Sequence, residues 1–120
     1  MPYVWISPSE LQQVILNLIN NAIDAMGKKG GDVTILTKMD PEKNGVLISV
    51  KDNGKGIPKD NLARIFDPFF TTKAVGKGTG LGLSICYGIV EKMGGQIEVS
   101  SQVGYGTQFD ILIPLKTIKN

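Results

Sequence analysis

Two stretches of the chain carry apolar residues at intervals of three and four, the spacing typical of an amphipathic helix. The first begins at the capping sequence SPSE, residues 7–10, with proline at the first helical position, and ends at Gly27. The second begins at Thr79 and ends at the glycine pair 94–95. A shorter helix is predicted from Lys59 to Phe66. The pattern therefore predicts about three helices.

β-Branched and aromatic residues mark the strands. Asp32 to Met39 and Gly45 to Asp52 flank the turn sequence DPEKNG, and Gln96 to Ser101 and Thr107 to Pro114 flank QVGYG. The stretch YVWI, residues 3–6, can form a further short strand. Because consecutive strands usually pair and a sheet buries its apolar face against helices, we predict an α+β fold. It is a two-layer α/β sandwich, with a largely antiparallel or mixed sheet of about five strands covered on one face by about three helices.

Length and composition limit the function. With 120 residues, 42% of them hydrophobic, the chain predicts a single domain over residues 1–120. The 13 basic and 11 acidic side chains are spread along the chain, so nucleic acid is not an expected partner. No apolar run is long enough for a membrane span and no signal peptide opens the chain. The single cysteine, Cys86, fits a small core residue in a reducing compartment, so we expect a cytoplasmic protein.

The chain contains no histidine. This absence rules out any mechanism that needs an imidazole base, ligand or phosphate acceptor from this polypeptide. Such a group must come from another domain or another protein.

A polar stripe lies on the first predicted helix. Asn17, Asn20, Asn21 and Asp24 follow at i, i+3, i+4 and i+7 in a helix that is otherwise mostly apolar. A solvated face is one interpretation, but solvated faces normally carry better helix formers, and these four residues cost about 2 kcal/mol relative to such residues. A functional role is the better explanation. Asparagine carbonyls are hard oxygen donors suited to Mg²⁺.

The sequence DNGKGIP, residues 52–58, follows the apolar strand VLISV. It can be an ordinary turn, since it is rich in turn-forming residues. Asp52 nevertheless stands at the very end of a buried strand, where its carboxylate can accept a hydrogen bond from an exocyclic amine. Gly54 and Gly56 would let the backbone pass close to a flat ring.

The sequence GKGTGLGLS, residues 76–84, places glycines before a helix, where backbone N–H groups can bind phosphate oxygens. It matches neither GxxxxGK[ST] nor GxGxxG, so it supports neither a P-loop nor a Rossmann dinucleotide site. Close packing of the glycines against a strand is the alternative. The stretch from Asp67 to Gly78, which has little periodicity, is predicted to be a long loop.

Taken in order, these sequences resemble the ATP-binding catalytic domain of sensor histidine kinases, in the superfamily that includes DNA gyrase, Hsp90 and MutL (the Bergerat ATP-binding fold). LQQVILNLINNAIDAM is similar to the N box of that family and DNGKGIP to its G1 box. IFDPFFTTK is similar to its F box, GKGTGLGLS to its G2 box and GYGTQF to its last glycine motif. Five motifs in the right order cover nearly the whole chain.

The resemblance implies roles for individual residues. Asn21 would coordinate Mg²⁺, Asn17 would contact the phosphates or the ion, and Asp52 would accept the adenine amino group. Gly54, Gly56 and Ile57 would line the ring, with Thr107 assisting near the adenine. The loop from Asp67 to Lys77 would be a mobile ATP lid. The remaining residues implied to bind the nucleotide are Asp24, Phe69, Thr72, Lys73, Lys77, Gly78, Thr79, Gly80, Leu81, Gly82 and Leu83.

The resemblance also bears on the reaction. In the gyrase, Hsp90 and MutL branch, a water-activating glutamate typically stands four residues before the metal-binding asparagine. Here that position is Asn17, which cannot act as a base, so phosphoryl transfer is favoured over hydrolysis. In the family the acceptor is a histidine on a separate dimerisation domain, which makes the chain a fragment of a larger kinase that serves a response regulator.

Two other functions stay open from the sequence. The chain can be a stand-alone serine kinase and anti-sigma factor of the same superfamily, or a binding module that only senses nucleotide.

Two departures from the family concern stability more than chemistry. Ser7 replaces an acid before the first helix, and an upstream strand of the sheet is expected to be missing.

Overall fold

A computed structural model describes residues 2–3, 8–42, 44–67, 82–114 and 116–117. In these ranges the elements are β1 (Pro2–Tyr3), α1 (Pro8–Met26), β2 (Val33–Asp40), β3 (Gly45–Asp52), α2 (Lys59–Leu62), α3 (Gly82–Lys92), β4 (Gln96–Gln102), β5 (Gly106–Pro114) and β6 (Lys116–Thr117). The three predicted helices and the two hairpins are confirmed within a few residues. The short helix is shorter than predicted, since it ends at Leu62 and continues as turns. Three residues of the predicted start of α3, 79–81, lie outside the described ranges.

The main sheet has four strands in the order β2-β3-β5-β4, and every neighbouring pair is antiparallel. The predicted α+β fold is confirmed. Within the described residues the main sheet has four strands where about five were expected, and it is antiparallel where a mixed sheet was one option. β3 and β4 run in the same direction, but β5 lies between them, so no parallel pair forms. The other two strands, β1 and β6, pair with each other in a separate two-stranded sheet.

The helices cover one face of the four-stranded sheet. On that face Val50, Phe109 and Val99 form one row across three strands, and Ile48, Ile111 and Ile97 form the next. α1 packs against β3 and β5, while α2 and α3 pack against β4. The buried hydrophobic core consists of Val14, Leu18, Ile48, Val50, Ile65, Cys86, Val90, Phe109, Ile111 and Ile113.

The helical layer leaves β2 less protected than the other strands. β2 is an edge strand, and its helix-facing residues Ile35 and Met39 remain 47% and 54% exposed. Among the described residues, no helix is both long enough and apolar enough to cross a membrane.

Three contacts place α3 antiparallel to α1. Near one end Lys92 Nζ lies 3.5 Å from Glu10 Oε1. In the middle the buried Cys86 thiol donates to the carbonyl of Val14, with a sulfur to oxygen distance of 3.7 Å. At the other end Asn17 Nδ2 donates to the carbonyl of Gly82 at 3.4 Å. The start of α3 therefore lies beside the polar stripe of α1.

Replacing Gly88 with alanine is expected to stabilise the domain by about 0.5–1 kcal/mol, because glycine is a poor helix former and an added methyl group meets no atom within 4 Å. Gly27 is the matched control. A methyl group there also meets open space, but its φ of +66° disfavours any L residue, so Gly27→Ala is expected to destabilise by about 1 kcal/mol. Urea denaturation of both variants measures the difference, and the same sign for both changes would contradict the argument.

Candidate functional site

A row of polar side chains crosses the sheet at the end where β3 stops. Asp52 on β3 is the register partner of Thr107 on β5, and Thr107 is the partner of Ser101 on β4. The three residues continue the inward-facing rows of the hydrophobic core, so their side chains point to the helix-covered face. Asp52 and Thr107 are each only 5% exposed. Burial of polar groups is costly, so a carboxylate and a hydroxyl at the edge of a core mark this end of the sheet as a candidate binding site.

The loop that follows Asp52 is held by backbone and side-chain hydrogen bonds. The N–H of Gly54 donates to Asp52 Oδ1 at 2.8 Å, and the N–H of Lys55 donates to the carbonyl of Ala25, near the end of α1, at 3.0 Å. The carbonyl of Lys55 accepts from the N–H of Gly104 at 2.9 Å. These bonds tie the loop to α1 on one side and to the β4–β5 turn on the other.

The two glycines of this loop are required by backbone packing. A Cβ atom on Gly54 would lie 2.7 Å from the carbonyl carbon and oxygen of Ala25. Gly56 has a φ of +78°, and a Cβ there would collide with the carbonyl of Gln102. The interpretation as a structural turn therefore explains both glycines by packing alone. That the same glycines also line a flat ring stays a prediction.

The polar stripe of α1 contacts the start of α3 through Asn17. Asn17 is half-buried and donates to Gly82, and Asn21 is half-buried one turn before Ala25, the residue that contacts the Asp52 loop. Asn20 and Asp24 are exposed. The interpretation as a solvated face therefore suits Asn20, whereas Asn17 and Asn21 are partly shielded from solvent.

Burial raises the pKa of the Cys86 thiol to about 11, and a hydrogen bond from the Asn17 side chain opposes the shift. Because the ordinary value is 9.0, the unfolded chain loses this proton between pH 9 and about 11 while the folded chain keeps it. We expect the free energy of unfolding to be unaffected by this thiol below pH 9 and to fall above it by about 1 kcal/mol per pH unit.

Denaturation midpoints measured from pH 8 to pH 11 test this expectation. Cys86→Ala is the control, because it lacks the titrating group and should show a shallower slope above pH 9. Equal slopes for the two proteins would contradict the assigned pKa.

The structure describes ten of the predicted site residues. It brings Asn17 into contact with Gly82 at the start of α3, and it places Asp52 beside Thr107. Ile57 and Leu83 are half-buried and pack against the core. The other predicted residues lie outside the described ranges: Phe69, Thr72, Lys73, Lys77, Gly78, Thr79, Gly80 and Leu81.

Across the part of the chain that the structure describes, no three histidine, cysteine or acidic side chains cluster closely enough to hold a metal ion. A divalent cation here would depend on amide oxygens such as that of Asn21, together with oxygens of a bound phosphate. That donor set suits Mg²⁺, which binds few protein ligands and favours phosphate oxygens.

Ser101 was not among the site residues predicted from the sequence. Its hydroxyl lies within hydrogen-bond distance of Ile57, Gly106 and Thr107 and so connects the loop after β3 with the start of β5. A signal was present, because Ser101 occupies the position in β4 where the inward alternation of Ile97 and Val99 calls for a third apolar residue.

Comparison with known proteins identifies the family. Residues 6–117 match the family described as histidine kinase-, DNA gyrase B-, and HSP90-like ATPase, and the chain belongs to it. Within that family it is a catalytic domain of the histidine kinase type, since it is 40% identical to the catalytic domain of histidine kinase ThkA. That alignment covers 91% of this chain and 68% of the ThkA domain, with a TM-score of 0.76.

Two longer proteins are also similar. The sensor histidine kinase ZraS of Escherichia coli (strain K12) is 47% identical over 115 residues, which are 96% of this chain and 24% of ZraS. Full-length ShkA, solved in complex with AMPPNP, is 31% identical with a TM-score of 0.83, over 100% of this chain and 24% of ShkA. The chain thus spans about a quarter of the length of these two proteins.

Proposed function

We propose that this domain binds Mg·ATP and donates the γ-phosphate to a histidine on the dimerisation domain of a parent sensor kinase. The observation that carries the proposal is the buried Asp52 carboxylate beside Thr107, at the sheet end next to the asparagine stripe of α1. A carboxylate in this position accepts the amino group of adenine. The complex of the similar protein ShkA with AMPPNP, an ATP analogue, supports the same ligand.

Asn21 would hold Mg²⁺ through its amide oxygen, and Asn17 and Asp24 would contribute to the phosphate end of the site. When bound, the ion neutralises charge on the phosphate oxygens. Asn17 cannot remove a proton from water, and its amide nitrogen already donates to Gly82. This chain therefore aligns the phosphates for a separate nucleophile, which fits phosphoryl transfer catalysed by position and charge.

The partners of the domain follow from the same proposal. The chain supplies no histidine, so the acceptor lies elsewhere in the parent kinase, of which this domain is one part. A response regulator would take the phosphate next, and the domain would work in the cytoplasm, where ATP is available. Gly54, Gly56 and Ile57 would line the adenine ring. Residues of the ATP lid and of the sequence GKGTGLGLS would contact the rest of the nucleotide: Phe69, Thr72, Lys73, Lys77, Gly78, Thr79, Gly80, Leu81, Gly82 and Leu83.

Transfer of labelled γ-phosphate tests the proposal. The domain is mixed with the helical dimerisation domain of its parent kinase, [γ-³²P]ATP and Mg²⁺, and the label is expected on the acceptor histidine. The control is the same acceptor domain with that histidine replaced by glutamine, which should take up no label. Label on a serine of a partner protein would point to the serine kinase alternative. ATP binding without transfer to any acceptor would point to a nucleotide-sensing module.

The role of Asn21 is tested separately. If Asn21 holds the ion, the affinity of Asn21→Ala for ATP should respond much less to added Mg²⁺ than that of the wild type. Asn20→Ala is the matched control, because Asn20 is an exposed neighbour on the same helix. An Asn21→Ala variant that keeps the full Mg²⁺ response and full transfer would remove the metal assignment.

A further inference from the structure

We infer that Ser101 is a positioning residue that turns the hydroxyl of Thr107 into a hydrogen-bond acceptor toward the base of the nucleotide. The inference rests on the proposed binding of ATP and concerns how the site selects the base. Ser101 lies near the end of β4 and is the register partner of Thr107 on β5. Thr107 in turn separates Ser101 from Asp52 on β3.

The Ser101 hydroxyl contacts three groups. The N–H of Ile57 donates to Ser101 Oγ at 2.7 Å. Ser101 Oγ donates to the carbonyl of Gly106 at 2.9 Å. The third partner is Thr107 Oγ1, at 2.8 Å, and the distance alone allows either hydroxyl to be the donor.

The direction of the third bond follows from the other two. A serine hydroxyl has one hydrogen and two lone pairs. The backbone N–H of Ile57 can only donate, so it occupies one lone pair. The carbonyl of Gly106 can only accept, so it takes the single hydrogen. One lone pair is left for Thr107, and the Thr107 hydroxyl must therefore donate to Ser101.

This arrangement leaves Thr107 with only lone pairs to offer a ligand. Its register partner Asp52 also offers only lone pairs, and one oxygen of that carboxylate already accepts from the N–H of Gly54. The sheet end therefore presents two adjacent acceptors on one face. Two acceptors suit an exocyclic amino group, which carries two hydrogens, and disfavour a ring edge that offers only a lone pair.

Loss of the Ser101 hydroxyl changes the polarity of the site. Without it, the hydrogen of Thr107 is free to turn toward the ligand and can bond to a ring nitrogen. A base without an amino group is then penalised less, so the preference for adenine should shrink. The N–H of Ile57 also loses its partner, which should weaken the binding of all purine nucleotides to a similar extent.

Calorimetric titration with ATP and with purine riboside 5′-triphosphate, which lacks the 6-amino group, measures this preference. We expect the wild-type domain to bind ATP about tenfold or more tightly than the analogue, because a site built for a hydrogen bond rejects a ligand lacking it. The preference is the dissociation constant of the analogue divided by that of ATP, and in Ser101→Ala this ratio should fall at least threefold. Ser101→Thr keeps a hydroxyl at this position, so it should keep the wild-type ratio.

Ser100→Ala is the matched control, because Ser100 is the exposed neighbour of Ser101 on the same strand, and its ratio should equal that of the wild type. If Ser101→Ala does not fold, Thr107→Val is measured instead, and it should lower the ratio by removing the acceptor. Equal weakening of both nucleotides in Ser101→Ala, or an unchanged ratio in Thr107→Val, would overturn the inference while leaving ATP binding intact. A wild-type domain that binds neither nucleotide would overturn the proposed function as well.

Discussion

Replacing Asp52 with asparagine is expected to lower the affinity of the domain for ATP by about 10- to 150-fold, corresponding to about 1.5–3 kcal/mol for a hydrogen bond to a charged group. The side chain is only 5% exposed, so water cannot readily replace the lost acceptor. An asparagine that turns its NH₂ group to the ligand would also place one donor against another, which moves the effect toward the upper end of this range.

The fold should survive this change. The side-chain carbonyl of asparagine can still accept from the N–H of Gly54, as Asp52 Oδ1 does in the wild type. We therefore expect a small shift in the melting temperature together with a large loss of affinity, and calorimetry with ATP and thermal denaturation measure the two effects independently.

Asp110→Asn is the matched control for Asp52→Asn. Asp110 lies on the adjacent strand β5 but on the opposite face of the sheet, where its Oδ1 accepts from Ser49 Oγ at 2.6 Å and from Gln108 Nε2 at 2.9 Å. This substitution should leave ATP affinity within about twofold of the wild type, since surface changes away from a site have small effects. An equal loss of affinity in both variants would show that Asp52 acts through the sheet and not on the ligand.

The elements of the fold could be predicted because each carries local signals. The capping sequence SPSE and Gly27 mark the two ends of α1. β-Branched and aromatic residues on either side of a turn sequence mark each of the two hairpins. The order of the strands could not be predicted in the same way. That β5 returns between β3 and β4 depends on long-range pairing, and no residue within β5 specifies it.

Site residues with a local sequence signal could be predicted, whereas those that depend on long-range pairing could not. Asp52 stood out because an acid ends an apolar strand, which is visible in one stretch of sequence. Ser101 did not stand out, since its role depends on the register that places it beside Thr107 and on the loop that brings Ile57 to it. Gly54 and Gly56 were assigned to the ligand, whereas the structure shows that neighbouring backbone already requires them.

Gly106, like Gly54 and Gly56, is required by neighbouring backbone, and replacing it should have the largest effect on stability. Its φ is +132°, and a Cβ atom on it would collide with the carbonyl of Asp52 in the neighbouring strand. Gly106→Ala must therefore strain its own backbone and also push β5 away from β3 at the site. We expect a loss of about 3 kcal/mol or more in the free energy of unfolding, since strained conformations alone cost about 1–3 kcal/mol.

Gly104→Ala in the same turn separates the two causes. Gly104 also has a positive φ, +88°, but an added methyl group there meets no atom within 4 Å. It should lose only about 1–2 kcal/mol from the backbone conformation. Urea denaturation of the two variants measures the difference, and similar losses would mean that the sheet relaxes around the Gly106 methyl group. If the sheet does relax, Asp52 must move with β3. ATP affinity should then fall in Gly106→Ala even in the fraction that remains folded, and not in Gly104→Ala.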